Sequence, residues 1–272
     1  LGDASAYKIS EGGTAVVLAS PSGSTTGFTR SIYARTVSGT GTANLMTFNG
    51  NGDVFNLTET WQRFEVTGWI NTGAPNFYAT DFRGTGSLSE LLVWGAQEEQ
   101  GSYPTSYIPT SGSTVTRNQD QFTRNNLASL INSTEGVLFV EMAALSDDNT
   151  DKRISISDGT LNNYVSIGFS RFTGNINREI VAGGVVQHSG FGATGVTQTN
   201  NNKFALSWGG SAIKFYINGS LINSTTLNTP PTGLNSLKFS AGNNTLTFFG
   251  KVKQLQVYKT ALTNSQLAAL TS

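Results

Sequence analysis

Short segments rich in β-branched and aromatic residues, each bounded by Gly, Asn, Ser or Pro, constrain the fold of this chain more than any other feature. They occupy residues 28–36, 61–70, 88–96, 136–145, 152–158, 164–170, 203–210, 212–217, 236–241 and 251–259. Strands of this length and spacing are typical of β-sandwiches. We therefore predict an all-β fold: two antiparallel β-sandwich (jelly-roll) domains in tandem, with one short C-terminal helix.

Two local patterns are explicit enough to predict single elements. In 212–217, Ile213, Phe215 and Ile217 alternate with other residues, and Asn218-Gly219 then supplies the two positive-φ positions of a type I′ turn. This pattern predicts a β-hairpin.

The second local pattern predicts the helix, within 261–270. Thr263 is placed to cap it, and Gln266 three residues later completes a capping box. Leu262 and Leu267 then stand at the two positions of a hydrophobic staple, and Leu267 shares a face with Leu270 that would pack on a sheet.

Composition indicates which environments and partners suit the chain. Only 12% of its residues are charged, against about 25% in a typical soluble domain. Its 17 basic and 17 acidic residues cancel, so no net field attracts nucleic acid or anionic lipid. The sequence contains no apolar run long enough to span a membrane, and residues 1–20 lack the pattern of a signal peptide. We expect a secreted or virion-exposed β protein.

Cysteine is absent, which excludes disulfides and thiolate metal sites. Stability outside cells must then come from core size or from oligomerisation.

The segment 101–117 indicates where one domain gives way to the next. Pro104 and Pro109 cannot donate to a β-ladder, so the tyrosines beside them are expected in an extended segment at a sheet edge. We predict a first domain over 1–110, a connection over 111–126 and a second domain over 127–272.

Both predicted domains carry motifs that resemble known families. WQRFEVTG (61–68) followed by LLVWGAQEEQGSYPTSYIPT (91–110) resembles the closing half of carbohydrate-binding-module-like jelly rolls of the family 4 and 9 type, which recur in phage tail fibres. The likeness covers roughly 5–110, and the domain looks short at its N-terminus. FYINGSLI (215–222) and YKTALTNSQLAAL (258–270) resemble concanavalin A-like, laminin-G-type lectin domains over nearly all of 127–272.

The order of these two domain types resembles that of phage adhesins. The resemblance implies an extracellular protein of the virion surface, in a tail or head fibre, that binds host surface polysaccharide beside other virion proteins and is commonly a homotrimer. Two alternatives stay open: a purely structural fibre or capsid decoration protein, and a glycan-cleaving enzyme.

The acidic residues do not form the pattern expected of an enzyme. Retaining glycosidases need two carboxylates about 5–5.5 Å apart, which on a strand means acids at i, i+2 or i+4. Glu141 stands alone in its strand, and Glu98 and Glu99 point to opposite faces. His188, the single histidine, fits a partly exposed loop residue better than the base of a catalytic triad. We predict no enzymatic activity.

A calcium loop is the one cofactor site that the sequence suggests. Asp147, Asn149, Asp151 and Asp158 take four positions of the pattern, but Lys152 stands where the loop needs Gly. A structural turn between two strands fits better.

A sugar site would pair aromatic rings with amide, carboxylate or guanidinium groups. Such residues cluster in 68–84 of the first domain and in loops of the second, although each also fits a structural role. Trp61 and Trp94 are predicted in the core, and Asn175 and Trp208 are further loop candidates. The predicted carbohydrate-binding residues are Trp69, Phe77, Tyr78, Asp81, Phe82 and Arg83, with Asn162, Asn163, Tyr164, Arg171, Arg178 and His188.

Overall fold

The described part of the chain is almost entirely β-structure, which confirms the predicted fold class. The computed structural model describes residues 6–11, 16–19, 28–47, 53–67, 76–101, 103–118, 120–193 and 195–272. Within these ranges the strands form four antiparallel sheets, and one helix follows them. None of the described helical residues forms a segment long and apolar enough to cross a membrane. The chain divides into two units, Leu1–Arg117 and Asn118–Ser272.

Unit 1 contains two four-stranded sheets, in the orders β1-β8-β3-β6 and β2-β7-β4-β5. Buried side chains from both sheets form one core, with Ile32 and Leu91 from the first sheet and Leu45 and Leu57 from the second. The strands are β1 (Tyr7–Ser10), β2 (Val16–Ala19), β3 (Phe28–Arg35), β4 (Gly41–Thr47), β5 (Val54–Leu57), β6 (Gln62–Thr67), β7 (Asn76–Thr80) and β8 (Glu90–Gln100).

Unit 2 is a sandwich of a five-stranded sheet, β17-β16-β15-β10-β19, and a six-stranded sheet, β14-β13-β12-β11-β18-β9. Its core includes Trp208, Phe204 and Phe215 from the first sheet and Ile154 and Ile167 from the second. The elements are β9 (Thr123–Arg124), β10 (Gly136–Ala144), β11 (Lys152–Ser157), β12 (Tyr164–Phe169), β13 (Asn175–Ala182), β14 (Val185–Ala193), β15 (Asn202–Gly209), β16 (Ala212–Ile217), β17 (Ser220–Thr226), β18 (Ser236–Lys238), β19 (Gly250–Tyr258) and α1 (Asn264–Thr271).

The predicted connection 111–126 lies partly inside this second unit. Thr123 and Arg124 pair with Lys238 and Leu237, so β9 forms the edge of the six-stranded sheet. The sequence gives no sign of this strand because both of its residues are polar and exposed.

The predicted hairpin is confirmed. β16 pairs with β17, and Asn218 and Gly219 have φ of 45° and 83°, as a type I′ turn requires. Tyr216 is only 4% exposed although it faces away from the core, because α1 covers that face of the sheet.

The predicted helix cap is also confirmed. The Thr263 hydroxyl accepts from the Gln266 backbone N–H, and the Gln266 side chain accepts from the Thr263 N–H. Leu267 is fully buried against Val137 and Phe139 on the outward face of the five-stranded sheet. The cap therefore fixes the start of α1, the helix that covers the outward face of the five-stranded sheet.

Replacing Thr263 with alanine should lower the free energy of unfolding by about 1 kcal/mol, because the substitution leaves an N-terminal N–H of the helix without its acceptor. Urea denaturation of the full chain would measure the change. Thr263→Ser is the matched control, since it keeps the hydroxyl and should stay close to the wild type. Equal losses in both variants would show that the hydroxyl does not act as a cap.

Candidate functional site

Polar side chains occupy the outward face of the six-stranded sheet. Successive residues of a strand point to opposite faces, so Ile154 and Ile156 of β11 point into the core and the residues beside them point outward. The same alternation holds along β12 and β13. We call this surface the polar face, and it comprises Arg153, Ser155, Tyr164, Ser166, Asn177 and Glu179.

An ion pair crosses the middle of the polar face. Arg153 Nη1 on β11 donates to Glu179 Oε2 on β13, and the Tyr164 hydroxyl on β12 donates to the same oxygen. The side chains of Arg153 and Glu179 are 9% and 13% exposed. Burial and the adjacent Glu179 carboxylate raise the pKa of the Tyr164 phenol, which therefore stays a hydrogen-bond donor.

Glycine makes this crossing possible. Gly168 lies between Arg153 and Asn177 in the ladder, and a Cβ there would stand 1.9 Å from the Lys152 carbonyl oxygen. The two strands approach too closely for a side chain at that position.

Several polar atoms of this face are buried without a partner. Both amide atoms of Asn177, the Ser166 hydroxyl and Arg153 Nε meet no donor or acceptor within the described ranges. Buried polar groups in native proteins are almost always hydrogen-bonded to protein, water or a ligand. Asn177 thus presents one free donor and one free acceptor side by side.

The structure places the predicted residues of unit 2 in four different locations, and only Tyr164 lies on the polar face. Asn162 is exposed in the turn before β12. Asn163 Oδ1 accepts from the N–H groups of Gly183 and Thr232, so its amide joins three loops. Asn163 also donates to Asp158.

Arg171 lies at the opposite end of the sheet, beside the suggested calcium turn. Its N–H donates to Asp151 Oδ1, and Asn149 Oδ1 accepts from the Thr173 hydroxyl. Asp147 is exposed, and its neighbour Asp148 forms an ion pair with the buried Lys152. Nowhere in the described ranges do three or more His, Asp or Glu side chains gather as metal ligands would.

Burial works against ionisation of the Asp148 carboxyl, but hydrogen bonds from Lys152 and Thr150 outweigh it and lower the pKa. The acids and amides of this turn therefore hydrogen-bond to neighbouring residues, and the cation that pairs with Asp148 is the Lys152 ammonium group.

Arg178 and His188 point to the other side of the sheet, into the sandwich. Arg178 stands opposite Gly190, in the row of the core residues Ile154 and Ile167, and is 6% exposed. His188 lies in strand β14 and is half-buried, which corrects its prediction as a loop residue. Burial lowers the pKa of both side chains, and for His188 the Arg178 charge adds to the effect.

The two further candidates, Trp208 and Asn175, also lie in different places and do not form one site. Trp208 is fully buried in the core, and its Nε1 donates to the Ser133 carbonyl at 3.0 Å. Trp208 is among the loop candidates of the sequence analysis, but it lies in β15 and faces inward. Asn175 begins β13, and its carbonyl accepts from Gln198.

In unit 1 the predicted residues 81–83 form a local cluster. Asp81 is 1% exposed and accepts from Arg83 Nε at 2.9 Å and Nη2 at 2.8 Å. Phe82 packs against the core. Phe77 and Tyr78 belong to β7, and Trp69 lies outside the described residues.

The sequence prediction missed an aromatic cluster in unit 1. Trp94 faces away from the core between Tyr33 and Tyr107, with ring centroids 5.2 Å and 4.6 Å apart, and Arg63 lies over Tyr33. We call this cluster the aromatic face. It corrects the prediction that Trp94 is a core residue, because both of its partners lie on the outward side of the sheet.

Trp61 is only partly buried, with Arg35 5.4 Å from its ring centroid, and it does not belong to the core either.

Hydrogen bonds within the motif 91–110 hold its second half against strand β8. Glu99 accepts from the Thr105 N–H and hydroxyl, and Gln97 accepts from the Ile108 N–H at 2.9 Å. These bonds hold Tyr107 against Trp94. The segment predicted as an extended sheet-edge element is thus fixed by side-chain acceptors from β8.

The polar face carries hydrogen-bonding groups, with Asn177 and Ser166 each 1% exposed, and a single carboxylate. Glu179 accepts from Arg153 and Tyr164, and it is the one acidic residue among the described residues that comprise this face. Glu141, alone in β10 as predicted, pairs with Lys253 at 3.0 Å. Hydrolysis by a carboxylate pair needs two such groups on one site.

Unit 2 is a two-sheet β-sandwich, and a known family model matches most of it. Residues 138–268 match the model of the Laminin G 3 family, described as the Concanavalin A-like lectin/glucanases superfamily. The match confirms a concanavalin A-like, laminin-G-type domain in the C-terminal part of the chain. No curated protein matches the sequence.

Solved structures with a similar fold include proteins of several kinds. The CBM40 module of a Ruminococcus gnavus IT-sialidase, bound to alpha2,3 sialyllactose, is 19% identical, with 53% of this chain and 86% of that chain covered and a TM-score of 0.46. A SAP-like pentraxin from Limulus polyphemus is 15% identical, with 52% and 70% covered and a TM-score of 0.42. The NanB sialidase from Streptococcus pneumoniae is 16% identical, with 56% and 27% covered and a TM-score of 0.45.

Proposed function

We propose that this protein is a non-enzymatic glycan-binding adhesin that uses the polar face of unit 2. The observation that carries the proposal is Asn177, whose amide donor and amide acceptor are both buried and both unpaired among the described residues. A hydroxyl group donates and accepts at once, so one sugar hydroxyl satisfies both atoms. The Ser166 hydroxyl and Arg153 Nε add a further donor-acceptor group and a donor on the same face.

The rest of the polar face suits a neutral, hydroxyl-rich ligand. Arg153 and Glu179 neutralise each other, and Tyr164 completes the network. The aromatic face of unit 1 offers the second kind of group that sugars use, since its partly exposed rings can contact apolar C–H faces.

We further propose a biological setting: an extracellular component of a phage tail or head fibre that recognises host surface polysaccharide and contacts other virion proteins. The low charge, the lack of cysteine and the sequence motifs shared with phage adhesins support this setting. A homotrimer would present three copies of each site, and multivalency raises the overall affinity without new contacts.

Replacing Asn177 with leucine should abolish glycan binding while leaving stability equal to or above that of the wild type, because the substitution removes two unsatisfied buried atoms. Binding would be measured on an array of bacterial surface polysaccharides, and stability by urea denaturation. Asn201→Leu is the matched control, because Asn201 is exposed and does not belong to the polar face. Wild-type binding that survives Asn177→Leu would overturn the assignment of this face.

A glycan-cleaving enzyme and a structural virion protein, the two alternative functions, predict different results in experiments with the same purified protein. Release of reducing ends from a bound polysaccharide would establish a glycan-cleaving enzyme. Failure to bind any polysaccharide, together with stable association with purified virion proteins, would favour a structural fibre or decoration protein.

A further inference from the structure

Arg178 is a buried cation that lacks a counter-charge. Its guanidinium lies 4.8 Å from the Phe215 ring centroid on one side and beside Gly190 on the other, where a Cβ would stand 2.5 Å from Cζ. Nε and Nη1 are buried, and neither has a hydrogen-bond partner among the described residues. Leaving a buried charge unpaired is costly.

Two further polar atoms without partners lie beside it. His188 is diagonal to Arg178 across β13 and β14, on the same face, and its Nε2 is buried and unpaired. Asn223 on β17 stands opposite Phe215, and its Oδ1 is also buried and unpaired. Residues directly opposite on neighbouring strands point to the same side of the sheet. We call Arg178, His188 and Asn223 the Arg178 cluster.

The acid nearest in sequence does not compensate Arg178. Glu179 follows it in β13, but adjacent residues of a strand point to opposite faces, and Glu179 is engaged with Arg153 and Tyr164 on the polar face. The Arg178 cluster is therefore a separate site from the polar face.

The cluster lies at an edge of the sandwich. β14 is the edge strand of the six-stranded sheet, and β17 is the edge strand of the five-stranded sheet. His188 and Asn223 are each partly exposed, whereas Arg178 is buried beneath them.

We propose that the Arg178 cluster binds a small carboxylate that carries a neighbouring hydroxyl. The guanidinium offers planar N–H donors that match the two oxygens of a carboxylate, and such charge-assisted hydrogen bonds are the strong ones. Asn223 Oδ1 can only accept, so it requires a donor from the ligand, which a hydroxyl next to the carboxylate supplies. Two sources offer a carboxylate with a hydroxyl close by: a free 2-hydroxy acid, with the hydroxyl on the adjacent carbon, and a sugar-borne uronic acid, with its nearest hydroxyl one carbon further away.

The single histidine of the chain makes the test specific. The imidazole signal of His188 is the only one of its kind in a proton–carbon NMR spectrum of the full chain. We expect saturable shifts of this signal on titration with glycolate, with glucuronate, or with both. Glucose is the control, because it has the hydroxyls and lacks the carboxylate.

Variants separate binding from a purely structural role. Arg178→Met should weaken the response about tenfold or more, whereas Arg124→Met, at an exposed arginine of β9, should leave it unchanged. In carboxylate-free buffer Arg178→Met should be at least as stable as the wild type, since it removes an unpaired buried charge. Arg178→Lys keeps the charge without the planar donors and serves as a second variant if Arg178→Met does not fold.

The titrations distinguish a free hydroxy acid from a sugar acid as the ligand, and they can also show that the Arg178 cluster binds neither. Binding of glycolate alone identifies a free hydroxy acid, and binding of glucuronate identifies a sugar acid. No shift with either ligand, or equal shifts with glucose, would overturn the proposal. Loss of polysaccharide binding in Asn177→Leu bears only on the polar face and leaves this site untouched.

Discussion

Replacing Glu179 with leucine should lower the free energy of unfolding by about 3–5 kcal/mol, because removal of one partner strands the other charge of a buried pair. The Arg153 side chain is 9% exposed, and it would lose its carboxylate. The Tyr164 hydroxyl would lose its acceptor at the same time. Urea denaturation of unit 2 within the full chain, followed at neutral pH, measures the loss.

The double variant Arg153→Met with Glu179→Leu is the matched control. It removes both charges, and replacing a buried ion pair with apolar side chains is often close to neutral. We expect it to recover most of the stability lost by the single variant. A single variant within about 0.5 kcal/mol of the wild type would show that the pair is effectively solvated.

Replacing Trp208 with alanine should cost about 3–5 kcal/mol, as for other large aromatic side chains removed from a core. Trp208 is fully buried, and Gly136 lies against its six-membered ring, where a Cβ would approach to 2.8 Å. The cavity would open inside the core, next to the start of β10. The shift of the urea midpoint gives the size of the effect.

Trp208→Phe is the corresponding control, because it keeps an aromatic ring and loses the indole donor to Ser133. It should cost about 1–2 kcal/mol, the value of an unsatisfied buried carbonyl. If Trp208→Ala instead left stability intact and reduced glycan binding, Trp208 would be a ligand contact and its assignment to the core would be wrong.

The elements that the sequence predicted well are those with local determinants. Asn218-Gly219 fixes the hairpin turn through backbone sterics alone, and Thr263 with Gln266 fixes the helix start through hydrogen bonds within four residues. Neither depends on which strand becomes a neighbour. β9 was missed for the opposite reason, since its pairing with β18 comes from a segment over a hundred residues away.

The polar face was missed although part of its signal is present. In 153–157, Arg and Ser alternate with Ile, which is the period-two pattern of a strand with one polar face. What the pattern does not contain is the register that brings Arg153, Tyr164 and Glu179 together across three strands. Only Tyr164 was predicted, and it was grouped with loop residues that the fold separates.

The tryptophans show how apolar context can mislead. Trp94 follows Val93 in a strand whose residues look buried on both sides, yet its ring packs between Tyr33 and Tyr107 on the outward side. That cover comes from the segment after β8, held by Glu99 and Gln97. The hydrophobic pattern of β8 alone does not show that the segment after the strand folds back over its outward side.

Helix α1 covers one outer side of unit 2, and the polar face lies on the other. Because the helix occupies the outward surface of the five-stranded sheet, a tether attached at Ser272 leaves from the side remote from Arg153 and Glu179. Immobilising the domain by that end would orient every copy with its polar face toward the sample, whereas random coupling through lysines would not.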